Sequence, residues 1–165
     1  MSQALNVVPE PQEISSGVRK PETIAEGLSD VLADTYSLIY KTHAYHWNVE
    51  GPLFYSIHNL TEKQYENMFK AADELAERIR AIGQMAPMTL TEIAKRSVVK
   101  DSAEKVSAGE MCEALASDHE RIAHRLKALI KIAGEQNDPV TEDLATARSA
   151  FHEQAAWMLK AITAK

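Results

Sequence analysis

Two short-range pairs, His58 with Glu62 and Asp73 with Glu77, constrain this chain more than any other feature. Both lie between His43 and Arg78, a stretch that also carries His46. On a helix, residues four apart lie on one face, one turn above the other. Imidazole and carboxylate so spaced are donors that iron, manganese or zinc accepts. The two pairs cannot share an ion within one chain. His58 and Asp73 are fifteen residues apart, roughly 22 Å along a helix that rises ~1.5 Å per residue, whereas metal–ligand bonds are only about 2 Å long. Fifteen steps of about 100° nonetheless return both pairs to nearly the same face. A second copy of the helix running antiparallel resolves the conflict. His58 and Glu62 of one chain would then meet Asp73 and Glu77 of the other, with the dyad near Asn67 and Met68 and two identical intersubunit metal sites. Spacing alone is equally compatible with two solvated pairs on a charged helix.

The rest of the chain predicts what this helix is built into. At 165 residues, 45% apolar and 25% charged, it is long enough for one domain with a substantial core. No apolar run approaches the ~20 residues that span a bilayer, and MSQALNVVPEPQE lacks the basic-then-apolar shape of a signal peptide, so a cytosolic protein without membrane contact is expected. The single cysteine, Cys112, fits a reducing compartment and reads as a small core hydrophobe.

Residues 1–20, with Pro9, Pro11 and Gly17 and no apolar period, predict a flexible tail ahead of a domain over 21–165. Pro21 opens a helix whose stripe is Leu28, Val31, Leu32, Thr35, Leu38 and Ile39, ended by Gly51-Pro52, with His46 in its last turn. The second helix is expected from about Leu53 to Ile82. Ile57, Met68, Ala72, Leu75, Ile79 and Ile82 face its own bundle, and His58, Glu62, Tyr65, Phe69, Asp73 and Glu77 lie beside them. A long connection from Gly83 to Val106 holds Pro87 and a short helix signal, Thr89-x-x-Glu92. Its length suits a crossover. Ser107-x-x-Glu110 is a capping box opening a third helix with the stripe Met111, Leu115, Ile122, Leu126, Leu129 and Ala133. Asp138-Pro139 opens a fourth, with Leu144, Ala147, Phe151, Ala155, Met158 and Ile162 on one face. The expectation is an all-α four-helix bundle with a crossover containing a short helix between the second and third helices.

The motif H-W-N-V-x-G-x-x-F-x-x-x-H, then Glu62, then D-E-x-A-E-R-I, closely resembles the Dps family, the ferritin-like DNA-binding proteins from starved cells. The likeness runs from about residue 22 to 162. It implies a ferroxidase centre at a dimer interface, with His46, His58 and Glu62 from one chain and Asp73 and Glu77 from its mate. The family often has aspartate where Glu62 stands, a change that keeps the carboxylate and adds a methylene of reach. The resemblance further implies an iron-storing, iron-detoxifying mini-ferritin. Fe(II) would be oxidised by hydrogen peroxide or oxygen, one or two metals per site, and ferric oxide kept in a hollow shell of twelve subunits built from two-fold dimers. Such chemistry relieves oxidative stress in the bacterial-type cytoplasm or nucleoid. Trp47, beside His46, is placed to quench a stray radical or simply to pack at the interface. Family shells have acidic three-fold pores near the third-to-fourth helix connection; here Asp138, Glu142 and Asp143 are the candidates, and they serve equally as helix N-terminal charges.

Two alternatives follow from the residues. Di-iron bundles with the site inside one chain use Glu-x-x-His, but His119, His124 and His152 are preceded at i−3 by Ala116, Arg121 and Ser149, so these histidines are expected to be structural or at the surface. His43 is a candidate extra ligand outside the family motif. A nucleoid scaffold of the same fold, binding DNA with little ferroxidase activity, is the other reading. Net charge opposes it: the chain carries −6, twelvefold that in a shell, and Arg19, Lys20, Lys160 and Lys165 are its only basic candidates for a DNA contact. Affinity for DNA comes largely from Lys and Arg displacing counterions, so binding is expected to be weak or absent.

Overall fold

Each helix begins on a start signal written in the sequence. In the computed structural model, which describes residues 3–102 and 105–164, the chain forms a short 3-10 turn at Gln3–Asn6 and five α-helices, with no strand among the described residues. Pro21 occupies the first turn of α1, Pro21–Asn48, after Lys20 in the left-handed region. Gly51, at φ +103°, turns the chain in a conformation a side chain rarely adopts, and α2 follows over Phe54–Ala81. Thr89 caps the short α3, Leu90–Arg96, by accepting from Glu92 N–H. At α4, Ala108–Glu135, both arms of the capping box between Ser107 and Glu110 are formed. Asp138 caps α5, Pro139–Thr163, through Thr141 N–H. The four-helix bundle with a crossover holding a short helix is therefore the observed fold.

Side-chain ties fix how the helices run. His46 meets His58 and His43 meets Tyr65, so α1 and α2 are an antiparallel hairpin. Glu120 pairs with Lys160 and Lys127 with Glu153, which makes α4 and α5 a second one. Lys41 to Asp118 sets α1 against α4, and Arg78 to Asp138 sets α2 against α5. The crossover returns the chain along the bundle. It is held to α1 by Arg96, which pairs with Glu26 and Asp30, and by Asp34, which accepts from Val98 N–H and pairs with Arg125.

The stripes expected for the first three long helices are the buried ones: Leu28, Leu38, Ile57, Met68, Leu75, Ile79, Leu115, Ile122 and Leu126 are wholly enclosed. On α5 the buried face is rotated by about one residue from the expected stripe. Ala145, His152 and Leu159 are enclosed, whereas Ala147 and Met158 are exposed and Leu144, Phe151 and Ile162 form its half-buried edge. The cause is polar: Thr141, Arg148, Ser149 and His152 occupy the inner face, so apolar periodicity pointed one residue aside.

The segment ahead of α1 touches the bundle at its ends. Gln12 N–H donates to Gly83 O, and Arg19 donates through its N–H to Gln136 O and through its guanidinium to Glu135 O. A cation there meets the unpaired carbonyls at the C-terminus of α4. Among the described residues no helix is long and apolar enough to cross a membrane.

Candidate metal centre

The last turn of α1 and the first turns of α2 bring His46 and His58 together. Their rings stack with centroids 3.7 Å apart and planes inclined by 18°. Each imidazole is held by the main chain of the other helix: His46 Nδ1 lies 2.9 Å from His58 O, and His58 Nδ1 3.0 Å from His46 O. A carbonyl only accepts, so both Nδ1 atoms carry a proton, and in the neutral imidazole each Nε2 is then the atom with the lone pair. Thr61, one turn beyond Ile57, adds its hydroxyl at 3.2 Å from His46 Nδ1 while donating to Ile57 O. A second bond that fixes tautomer and orientation is the usual support for a ligating histidine. Glu62 is half-buried one turn after His58.

Asp73 and Glu77 lie exposed on the same helix and do not join this group. Among the described residues no three His, Cys, Asp or Glu side chains gather closely enough to hold a metal ion. One chain therefore brings together two oriented imidazoles, donors that suit Fe(II) but leave its charge unneutralised, with the Glu62 carboxylate one turn away.

An aromatic surface surrounds the histidine pair. His43 is not beside the two rings as a third donor; it lies between Trp47, stacked at 5.1 Å and 6°, and Tyr65, at 3.9 Å. Burial, and then the neighbouring His46, hold the His43 imidazole below its ordinary pKa. Tyr65 sets its edge on His46 at 5.3 Å, and burial with Glu62 and Glu66 nearby raises its phenol. The sequence places Tyr65 on the stripe with His58 and Glu62 but does not single out Thr61, whose only signal is its position three residues after His58. Trp47 and Phe69 are 62% and 63% exposed, and Tyr40, Tyr55 and Leu90 are also uncovered. Tyr40, His43, Phe69 and Leu90 line one open groove, with Trp47 stacked on His43, and exposed apolar surface so gathered marks an interaction face.

The acidic candidates at the other end separate. Asp138 is 1% exposed. Its carboxylate binds Arg78 at 2.6 Å and caps Thr141, and although burial opposes ionisation these partners hold its pKa below the usual carboxylate value. It is a structural cap, and it does not stand free for a pore. Glu142 is half-buried and Asp143 exposed in the first turn of α5. Of the remaining histidines, His119 and His152 are buried in the bundle and His124 is exposed. Cys112 is buried, and burial pushes its thiol up to about 11, which keeps it an inert core residue.

Comparison with known proteins agrees with this fold. The ferritin-like domain family matches residues 25–165. DNA protection during starvation protein 2 of Bacillus anthracis is 36% identical over 138 residues, covering 84% of this chain and 94% of that one. The crystal structure of Dps from Staphylococcus aureus has a TM-score of 0.86 at 34% identity, over 90% of this chain and 99% of that one. A Dps protein from Vibrio cholerae, described as a member of a broad superfamily of ferritin-like diiron-carboxylate proteins, has a TM-score of 0.83 at 25% identity over 87% and 91% of the two chains. Fold and site thus define a ferritin-like protein. Within that class, the chain belongs to the Dps family.

Proposed function

We propose that this protein is an iron-oxidising and iron-storing mini-ferritin whose catalytic sites are shared between two chains. The observation that supports it most is the reciprocal bonding of His46 and His58, which leaves two Nε2 lone pairs oriented at the edge of an exposed aromatic face. His46, His58 and Glu62 of one chain hold Fe(II) together with Asp73 and Glu77 of the partner subunit. The partner's two carboxylates supply the negative charge that the single chain lacks, and the second copy covers Phe69 and its neighbours. Twelve chains in a hollow shell then retain the ferric product.

Fe(II) is the substrate. Each ion gives up one electron, and two of them reduce one hydrogen peroxide, with two protons, to two waters. Oxidant is consumed without releasing hydroxyl radical, and iron is removed as ferric oxide. The carboxylates favour the higher charge of Fe(III) over Fe(II), and the neutral imidazoles fix position without adding charge. Trp47 and Tyr65, in contact with His43 and close to His46, are oxidisable side chains that can take up a stray one-electron hole. Protection of DNA follows from removing iron and peroxide, since a chain of net charge −6 has little to attract a phosphate backbone. Glu142 and Asp143 are the remaining candidates for drawing cations toward the shell interior.

The test is anaerobic protein mixed with Fe(II), followed by peroxide or air, with ferric absorbance recorded against time. Wild type should oxidise iron rapidly, and Glu77→Ala should lose most of that rate. Equal rates in the two proteins would leave a scaffold with an idle site.

A further inference from the structure

The middle of the bundle carries a polar layer that the histidine pair on α1 and α2 does not use. Contacts trace it round all four long helices. Lys41 on α1 bonds Asp118 on α4 at 2.7 Å, which brings their sequence neighbours Thr42 and His119 to one level. His119 Nδ1 lies 2.8 Å from His152 Nδ1 on α5. One turn before His152, Arg148 donates at 2.8 Å to Asn67 Oδ1 on α2, and Gln64 stands one turn before Asn67 on the buried face. Thr42 and His119 are fully enclosed, and Arg148 is only 8% exposed.

Every unpartnered buried side-chain atom among the described residues belongs to this layer: Thr42 Oγ1, Gln64 Oε1 and Nε2, His119 Nε2 and Arg148 Nη2. Native interiors rarely leave such atoms unpaired, and clusters of them mark an occupant. Charge and donor chemistry decide which. Arg148 is buried against the neutral Asn67 amide and over the Phe151 ring at 4.4 Å. A divalent cation would add like-charge repulsion to its own desolvation, and no carboxylate belongs to the set of unpartnered atoms. An anion would suit Arg148 but would confront the Gln64 carbonyl oxygen. Arg148 Nη2 and Gln64 Nε2 need acceptors, Gln64 Oε1 needs a donor, and the Thr42 hydroxyl and His119 Nε2 can take either role. Water meets all of these demands at once.

We propose that the bundle centre is an enclosed hydration site, in which ordered water bridges Thr42, Gln64, His119 and Arg148, and from which the Arg148 guanidinium excludes divalent metal. Other ferritin-like bundles hold two metals inside the bundle with inward-facing Glu-x-x-His pairs. Here the guanidinium supplies the positive charge at a bundle centre where no histidine of α4 or α5 has a glutamate three residues before it. The inference shares no side chain with the shared iron site and does not rest on it.

Crystals of the assembled protein soaked in Zn(II) test it, with data collected at the zinc absorption edge. Ordered water should lie within hydrogen-bond distance of the Gln64 amide, His119 Nε2 and Arg148 Nη2, with no anomalous peak between His119 and His152. A dry layer in which these side chains pair directly, or zinc between the two histidines, would overturn it. In Arg148→Met crystals a zinc peak should appear at His119 and His152 that wild type lacks; its absence would remove the excluding role from Arg148. The wild-type data decide the hydration whether or not that variant folds.

Discussion

His46 and His58 fix one another: their rings stack at 3.7 Å, and each Nδ1 is bonded to the other residue's carbonyl oxygen. Neither orientation depends on a metal. Two helices of one hairpin, joined through Gly51, set both Nε2 lone pairs before any iron arrives. Preorganised donors of this kind need little rearrangement when the ion binds.

Thr61→Val tests that preorganisation. Valine matches the shape of threonine but removes the hydroxyl 3.2 Å from His46 Nδ1, leaving the His58 carbonyl as its remaining partner. Initial Fe(II) oxidation should fall by up to about tenfold, at the low end for outer support of a ligand, with helical circular dichroism unchanged. An unaltered rate would show that the carbonyl bond alone suffices.

Much of this was legible in the sequence, and the gaps have physical causes. Proline, glycine and capping residues marked the helix ends, so Pro21, Ser107 and Asp138 each stand where a helix begins. The spacing of His58 and Asp73 implies that one chain cannot close the site, and in the structure Asp73 and Glu77 are exposed. Apolar periodicity found only part of the buried face of α5, where Arg148, Ser149 and His152 share the inner side with Ala155. Hydrophobic patterning cannot see a buried polar layer, because its partners come from other helices. For the same reason the sequence leaves Asp138 open between a pore acid and a helix N-terminal charge, since its bond to Arg78, sixty residues away, is not written in the local pattern.

That bond gives a stability prediction. Arg78 Nη2 reaches Asp138 Oδ1 at 2.6 Å and Nε reaches Thr141 Oγ1 at 3.0 Å, tying the end of α2 to the start of α5. Arg78→Met leaves Asp138 as an uncompensated buried charge, which should cost about 3 kcal/mol. At matched protein concentration the thermal midpoint should drop by roughly 5–10 °C. A drop below one degree would mean that water replaces the guanidinium.

Acid should weaken the fold through the buried histidine pair. Burial, then Arg148, lowers His119 to about 3, and burial, His119 and Arg148 hold His152 well below its ordinary value. Unfolded histidine titrates near 6.5. Between that pH and about 3 the unfolded chain therefore binds more protons than the folded one, so stability falls as pH falls, by about 1.4 kcal/mol per pH unit for each histidine kept neutral. Denaturant midpoints measured from pH 7 to pH 4 should decline, and His119→Gln should flatten the decline. Parallel pH profiles in the two proteins would assign acid lability to other groups.

DNA should bind weakly if at all. Lys160 pairs with Glu120, and the Arg19 guanidinium donates to the Glu135 carbonyl. Lys20 is exposed, and Lys165 lies outside the described residues. A net charge of −6 opposes a phosphate backbone. Duplex DNA should migrate unshifted beside sub-micromolar protein at physiological salt. Retardation there, lost in more concentrated salt, would point to a basic surface formed only on assembly.

Mixed dimers give the sharpest test of a shared site. His58→Ala and Glu77→Ala each damage a different half of the proposed ligand set, so either protein alone should be nearly inactive. Unfolded together and refolded at equal amounts, the chains pair at random. Each mixed dimer then holds one site with His58 and Glu77 both intact and one site with both missing. Half of the dimers are mixed and half of their sites are whole, so about a quarter of wild-type Fe(II) oxidation should return. Sites complete within a single chain would return none, because every chain in the mixture carries one lesion. The same mixture made without unfolding should stay inactive until subunits exchange, which ties recovery to pairing and not to iron released by one protein and oxidised by the other.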